Sequence, residues 1–87
     1  MSLQVGQIVY SKAGRDCGGA FVVVALDGDF AYIVNGEDRP LARAKKKKKR
    51  HIQPIGNIDQ TLAAKLASGA YVNDAEIVKL LKAYERV

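Results

Sequence analysis

Two short apolar runs joined by a tight turn constrain this 87-residue chain most strongly. The first run, Phe21 to Leu26, is rich in valine, and the second extends from Phe30 to Val34. β-Branched and aromatic residues favour strands, and the intervening Asp27-Gly28-Asp29 is typical of a tight turn. The pattern therefore predicts a central strand followed by the next strand of a small sheet.

Segments on both sides of this pair also have strand or turn character. A first strand is expected over Val5 to Tyr10, and the glycine-rich stretch Ala13 to Gly19 is expected to form the loop after it. Asn35-Gly36 is the strongest short hairpin signal, because both central residues of a type I′ turn need positive φ. A fourth strand should then return after this turn.

The fourth and fifth strands are predicted to complete a small barrel. The fourth is expected over Arg39 to Arg43, where Pro40 has no N–H to donate and so indicates an edge. A short fifth strand, His51 to Gln53, is expected to end at Pro54. Five short strands with tight turns favour a closed barrel, which leaves no exposed edges. The predicted core residues are Val9, Phe21, Val23, Ile33 and Ile52.

The C-terminal third changes to helical spacing. A helix is expected to begin near Asp59 and to stop at Gly69. A second helix begins after Asn73, an N-cap residue with a glutamate three positions later. Its apolar stripe consists of Ile77, Leu80, Leu81 and Tyr84. The predicted fold class is mainly β with C-terminal helices: a barrel over residues 1–55 and a helical extension over 56–87 that packs on itself or on the barrel.

The positive charge of the chain is concentrated in one segment. Residues 39–50 carry eight basic side chains and no acidic one, whereas the whole chain has a net charge of only +5. Residues 1–38 carry two basic against five acidic residues, and residues 51–87 carry four of each. A segregated positive field attracts polyanions, and nucleic acid is the commonest polyanion in a cytoplasm.

Three basic segments supply the candidate contacts. Lys12 and Arg15 flank Gly14, whose missing side chain would let a backbone phosphate approach closely. Arg39 and Arg43 are expected on one face of the predicted fourth strand, and the lysine run continues from its end. The candidate binding residues are Lys12, Gly14, Arg15, Arg39, Arg43, Lys45, Lys46, Lys47, Lys48, Lys49 and Arg50. The alternative is that the run is a mobile, solvated loop without a ligand.

Catalysis has little support in the sequence. The chain has one histidine, His51, and one cysteine, Cys17, which is too few for a metal site and leaves a nucleophile without an orienting group. Residues Gly14 to Gly19 lack the Lys-Ser/Thr ending of a P-loop and do not lead into a predicted helix. We therefore expect neither enzymatic activity nor a cofactor or metal.

The location expected for the chain is the cytoplasm. A single cysteine excludes a disulfide within the chain and fits a reducing compartment. The N-terminus has no basic start followed by a long apolar run, so no secretory signal is expected. No stretch approaches ~18 consecutive apolar residues, and no membrane partner is expected.

The stretch from Val5 to Gly36 resembles the KOW motif of ribosomal and transcription-associated proteins. It has a Gly-x-x-Val opening at Gly6 to Val9, a central glycine in a basic turn at Gly14, and a second strand that follows Gly18. Cys17 departs from the pattern, since the family often has lysine immediately before the second glycine.

The continuation through Arg39 to Ile52 is similar to bacterial KOW-domain proteins related to large-subunit ribosomal proteins of archaea and eukaryotes. This resemblance covers about residues 4–53 and implies an SH3-like barrel that binds ribosomal RNA or another structured RNA. The lysine run would neutralise phosphates while the Gly14 loop docks against the RNA backbone.

Recognition of bases is expected to be minor in this interpretation. Phe21, Phe30 and Tyr32 fall in predicted strands and are assigned to the core, which leaves Tyr10 as the best candidate for an exposed ring. The alternative function is an SH3-like protein-interaction module that binds an acidic protein, with the C-terminal helix as a further contact for a protein partner. A groove for proline-rich peptides is not expected, because the chain has no tryptophan.

Overall fold

A curled, five-stranded antiparallel sheet and two C-terminal helices make up the fold. The computed structural model describes residues 3–12, 14 and 18–84. The strands are β1 (Gln7–Ser11), β2 (Ala20–Asp27), β3 (Phe30–Val34), β4 (Lys45–Lys48) and β5 (Ile52–Ile58), followed by the helices α1 (Gln60–Ser68) and α2 (Asp74–Leu81). Short 3-10 turns cover Leu41–Arg43, Lys49–His51 and Lys82–Tyr84. The strand order is β4-β3-β2-β1-β5, which places β4 and β5 at the edges.

The sheet is buried on both faces, each with its own apolar cluster. The inner face of the curl contains Val9, Phe21, Val23, Ala31, Ile33 and Ile52. The outer face contributes Ile8, Val22 and Val34, which pack against Leu62, Ile77 and Leu81 of the helices. Successive side chains of a strand point to opposite faces, so a continuous apolar run such as that of β2 can supply both clusters. The five predicted core residues are confirmed, and all lie on the inner face.

The fourth strand lies later in the chain than predicted. The expectation of a strand over Arg39 to Arg43 is wrong, because residues 35–44 form a loop that includes a 3-10 turn. Asn35 does not adopt the positive φ of a type I′ turn. Its side-chain oxygen instead accepts hydrogen bonds from the backbone N–H groups of Glu37 (2.9 Å) and Arg39 (3.0 Å). An asparagine that bonds its own backbone in this way stabilises a wider loop.

Helix α2 holds this loop in place. Gly36 has a φ of 82°, and a Cβ at this position would lie 2.6 Å from the backbone oxygen of Asp74. The backbone N–H of Leu41 donates to the Asp74 carboxylate at 2.8 Å. The path between β3 and β4 is therefore set by contact with the helix rather than by a two-residue hairpin.

The remaining strand predictions differ from the structure mainly at their ends. β1 begins at Gln7, after a turn at Val5 and Gly6. β5 does not stop at Pro54 but continues to Ile58, because an edge strand tolerates a residue without an N–H. In the predicted glycine-rich loop, Gly14 and Gly18 both have positive φ, and residues 13 and 15–17 lie outside the described part.

The helix predictions are confirmed at their caps. The Asp59 carboxylate accepts a hydrogen bond from the Leu62 N–H at 2.8 Å, and Gly69 ends α1 with a φ of 73°. The Asn73 side chain accepts from the Glu76 N–H at 2.9 Å at the start of α2. The two helices pack on the outer face of the sheet. Neither helix in the described part combines the length and apolar character required to cross a membrane.

Candidate nucleic-acid interface

The basic run from Lys45 to Arg50 is built into the sheet and is not a loop. Lys45–Lys48 form β4, which pairs with β3 along one edge, and a 3-10 turn follows. The backbone N–H of Lys49 donates to the carbonyl oxygen of Asp29 at 2.9 Å, which fixes this turn against the β2–β3 turn. The directions of the charged side chains are therefore set by the alternation of a strand.

Lys46 and Lys48 point to the outer face of the sheet. They stand directly opposite Tyr32 and Phe30 in the register of β3 and β4, and both lysines are exposed. The Lys46 ammonium lies 4.6 Å from the centroid of the Phe30 ring, within cation–π range. We call these four residues the basic-aromatic face.

Lys45 and Lys47 point to the inner face of the sheet. Their partners in β3 are Ile33 and Ala31, which belong to the inner cluster. Lys45 is half-buried, and Lys47 is only 8% exposed. The consecutive lysines of the run are thus divided between an exposed face and a buried one.

The aromatic side chains are arranged differently from the expectation. Phe21 is a core residue as predicted, but Phe30 and Tyr32 are half-buried and lie outside both core clusters. The expectation for Tyr10 is wrong, because its ring is half-buried and its hydroxyl donates to the Tyr84 carbonyl oxygen at 3.0 Å. Among the described rings, Tyr71 is the most exposed, at 79%, and it lies in the segment that joins α1 to α2.

A cleft of about 400 Å³ opens beside Phe30. It is lined by Asp29, Phe30, Lys48, Lys49 and Arg50. The hydrogen bond between Lys49 and Asp29 joins its two walls. The cleft combines three cations, one carboxylate and an aromatic ring, so it can hold an anionic group next to a flat apolar one.

The glycine-rich loop approaches the basic run from the inner side. The backbone N–H of Lys12 donates to the carbonyl oxygen of His51 at 2.8 Å, and the Lys12 side chain is exposed. A Cβ on Gly14 would lie 3.5 Å from the Lys47 ammonium. The structure thus brings Lys12 and Gly14 to the basic run, while Arg15 lies outside the described residues.

Arg39 and Arg43 are not on one face of a strand, contrary to the expectation. The Arg39 carbonyl oxygen accepts from the N–H groups of Asn35 (2.9 Å) and Gly36 (3.2 Å) inside the β3–β4 loop. Arg43 is the exposed last residue of a 3-10 turn. Both precede β4, whereas the cleft lies at its C-terminal end, and the strand spans about 10 Å at ~3.4 Å per residue. These two arginines therefore lie at the other end of β4.

The sequence alone did not indicate that Asp29, Phe30 and Tyr32 lie beside the basic run. Their positions follow from the pairing of β3 with β4. A fourth strand over Arg39 to Arg43 predicts a different pairing, in which these residues do not face the lysines. No protein-family model matches the chain, and no curated protein is significantly similar to it.

Proposed function

We propose that this chain is an RNA-binding protein that contacts ribosomal RNA or another structured RNA. The observation that carries the proposal is the basic-aromatic face, where Lys46 and Lys48 stand opposite Tyr32 and Phe30. Lysines neutralise phosphates, and aromatic rings accept unstacked bases. The glycine-rich loop adds an exposed Lys12, whose backbone N–H bonds His51 in the 3-10 turn that follows β4.

The fold proposed for this function is an SH3-like barrel of the KOW kind. The curled antiparallel sheet with its short strands supports this assignment, as do Gly6 and Gly14 of the motif. A cytoplasmic location is part of the same proposal, since a single cysteine fits a reducing compartment.

The binding free energy from stacking a base on the Phe30 ring is larger than that from the lysine ammonium now beside it. A cation–π contact at an exposed site contributes about 0.5–1 kcal/mol. Stacking of a nucleobase on an aromatic ring contributes about 1–3 kcal/mol. A base can therefore displace the Lys46 ammonium from the ring, and the released ammonium can then meet a phosphate of the same RNA.

The test compares two double variants that remove the same charge. K46Q/K48Q changes the exposed lysines of β4, and K79Q/K82Q changes two exposed lysines at the C-terminal helices. For a single-stranded RNA, log K changes with log salt by about −0.7 per phosphate neutralised, so two lost contacts make the slope shallower by about 1.4. Fluorescence anisotropy at several salt concentrations measures this slope.

The control variant K79Q/K82Q is expected to keep the slope of the unmodified protein. Equal slopes for all three proteins would contradict phosphate contact by β4. An acidic protein could also meet Lys46 and Lys48, but it gives the neighbouring rings no role. Treatment of a pull-down with RNase distinguishes this alternative, because a direct protein partner would be retained.

A further inference from the structure

The cleft beside Phe30 contains a carboxylate that phosphate binding does not explain. Asp29 is exposed in the turn between β2 and β3, and three basic side chains line the same cleft. Among the described residues, its carboxylate makes no ion pair and no hydrogen bond. A carboxylate repels phosphate but is well suited to accept hydrogen bonds from another part of a ligand.

We propose that this cleft binds one unpaired guanine of the RNA, an inference that rests on the proposed function and specifies the base that the site recognises. The Phe30 ring stacks on the base. The Asp29 carboxylate accepts hydrogen bonds from the Watson–Crick edge. Lys48, Lys49 and Arg50 hold the flanking phosphates. The volume of about 400 Å³ lies in the range of small-ligand sites.

The choice of guanine follows from hydrogen-bond geometry. Guanine presents two adjacent donors, N1–H and N2–H, which match the two acceptor oxygens of a carboxylate. Adenine, cytosine and uracil place an acceptor beside their donor on this edge, and that acceptor would face a carboxylate oxygen. Phe30 alone would accept any base, because every base has a π face. Asp29 therefore supplies the preference and Phe30 supplies affinity.

The test uses short oligouridines that carry a single central guanine or a single central adenine. Both are purines and stack similarly, so the comparison isolates their hydrogen-bonding edges, and D29N then shows whether Asp29 reads the difference. The unmodified protein is expected to bind the guanine RNA about tenfold more tightly in fluorescence anisotropy, as a bidentate contact provides. D29N should abolish this preference, because an amide offers one acceptor and one donor.

Two further variants make the result specific. D27N removes the same charge from an exposed residue of the same hairpin, outside the cleft, and should keep the preference. F30L should weaken binding of both RNAs by about tenfold and leave their ratio unchanged, because the lost stacking does not depend on the base. Circular dichroism of each variant verifies that the sheet is retained.

The outcomes separate this inference from the proposed function. Equal affinity for the two RNAs, or a preference that persists in D29N, overturns the guanine site, while salt-dependent binding would leave the proposed function standing. Absence of binding to both oligonucleotides overturns the guanine site, while the salt slope of K46Q/K48Q decides the proposed function separately. GMP is included as a competitor. If GMP alone binds as tightly as the oligonucleotide, the ligand is a free nucleotide and the assignment to RNA is overturned.

Discussion

The ammonium group of Lys47 lies 3.5 Å from the point where a Cβ on Gly14 would stand. Lys47 is 8% exposed and engaged within the fold, in contrast to the exposed Lys46 and Lys48 on either side. The 3.5 Å separation is an ordinary van der Waals distance, so the Gly14 position and the Lys47 side chain lie in contact range of each other. One lysine of the run thus supports the structure, and its two neighbours are available to a ligand.

Replacement of Lys47 by glutamine is expected to lower the free energy of unfolding by about 1–3 kcal/mol, since it disrupts a buried polar contact and shortens a packed stem. K46Q and K48Q should each change it by no more than about 0.5 kcal/mol, as is usual for exposed positions. Urea denaturation of the three variants measures the difference. Equal effects at all three positions would show that Lys47 has no special structural role.

Gly36→Ala should be strongly destabilising. A Cβ would lie 2.6 Å from the Asp74 oxygen and 2.9 Å from Val78, at a φ of 82°. The positive φ should cost the alanine variant about 1–2 kcal/mol of stability, and the overpacking should cost about 1–3 kcal/mol more. Gly28→Ala is the matched control, because its φ is also positive but no described atom lies within 4 Å of its Cβ position. Chemical denaturation compares the two variants. If Gly36→Ala and Gly28→Ala lost similar amounts of stability, the close packing of the β3–β4 loop on α2 would be contradicted.

Asp74 links the β3–β4 loop to α2 through the hydrogen bond from Leu41. Asp74→Ala should increase the hydrogen-exchange rate of the Leu41 amide and cost about 1–3 kcal/mol, as expected when a hydrogen bond to a charged group is lost. Asp74→Asn retains an acceptor oxygen and should preserve most of the protection. Hydrogen exchange followed by NMR tests both variants, and unchanged protection in the alanine variant would argue against the link.

Ile77→Ala tests whether the helices are integral to the fold. Ile77 is wholly buried in the outer cluster with Val22 and Val34, so the substitution should cost about 2–5 kcal/mol. Leu80 is only half-buried, and its replacement by alanine should cost less. An unchanged thermal melt for the Ile77 variant would mean that the helix does not depend on the sheet.

The core and the helix caps were predictable because they depend on local patterns. The burial of Val23 and Ile33 follows from apolar strand segments, and the caps at Asp59 and Asn73 follow from side chains that bond the backbone three residues later. The hairpin turn predicted at Asn35-Gly36 is absent because contacts between residues far apart in sequence determine this loop. A helix nearly forty positions away in sequence packs against Gly36 and binds the loop at Leu41.

The candidate site was predictable in its charge but not in its arrangement. Lysine has a low β-propensity, so no local pattern indicated that Lys45–Lys48 form a strand. Pairing with the apolar β3 overrides this preference. The division of the lysines between two faces requires the register with β3, and so does the position of Phe30 beside the cleft.

The edge position of β4 also has a consequence for solubility. An edge strand presents free backbone groups to which the strand of another molecule can add, and lysine side chains oppose this by charge repulsion. If the exposed Lys46 and Lys48 were replaced by glutamine, with the buried Lys47 left in place, the edge would lose two charges and gain amides of the kind that form ladders between chains. Light scattering during heating should detect earlier aggregation of that variant than of K79Q/K82Q. The basic strand would then keep the protein apart from its own copies, in addition to the RNA contact proposed for it.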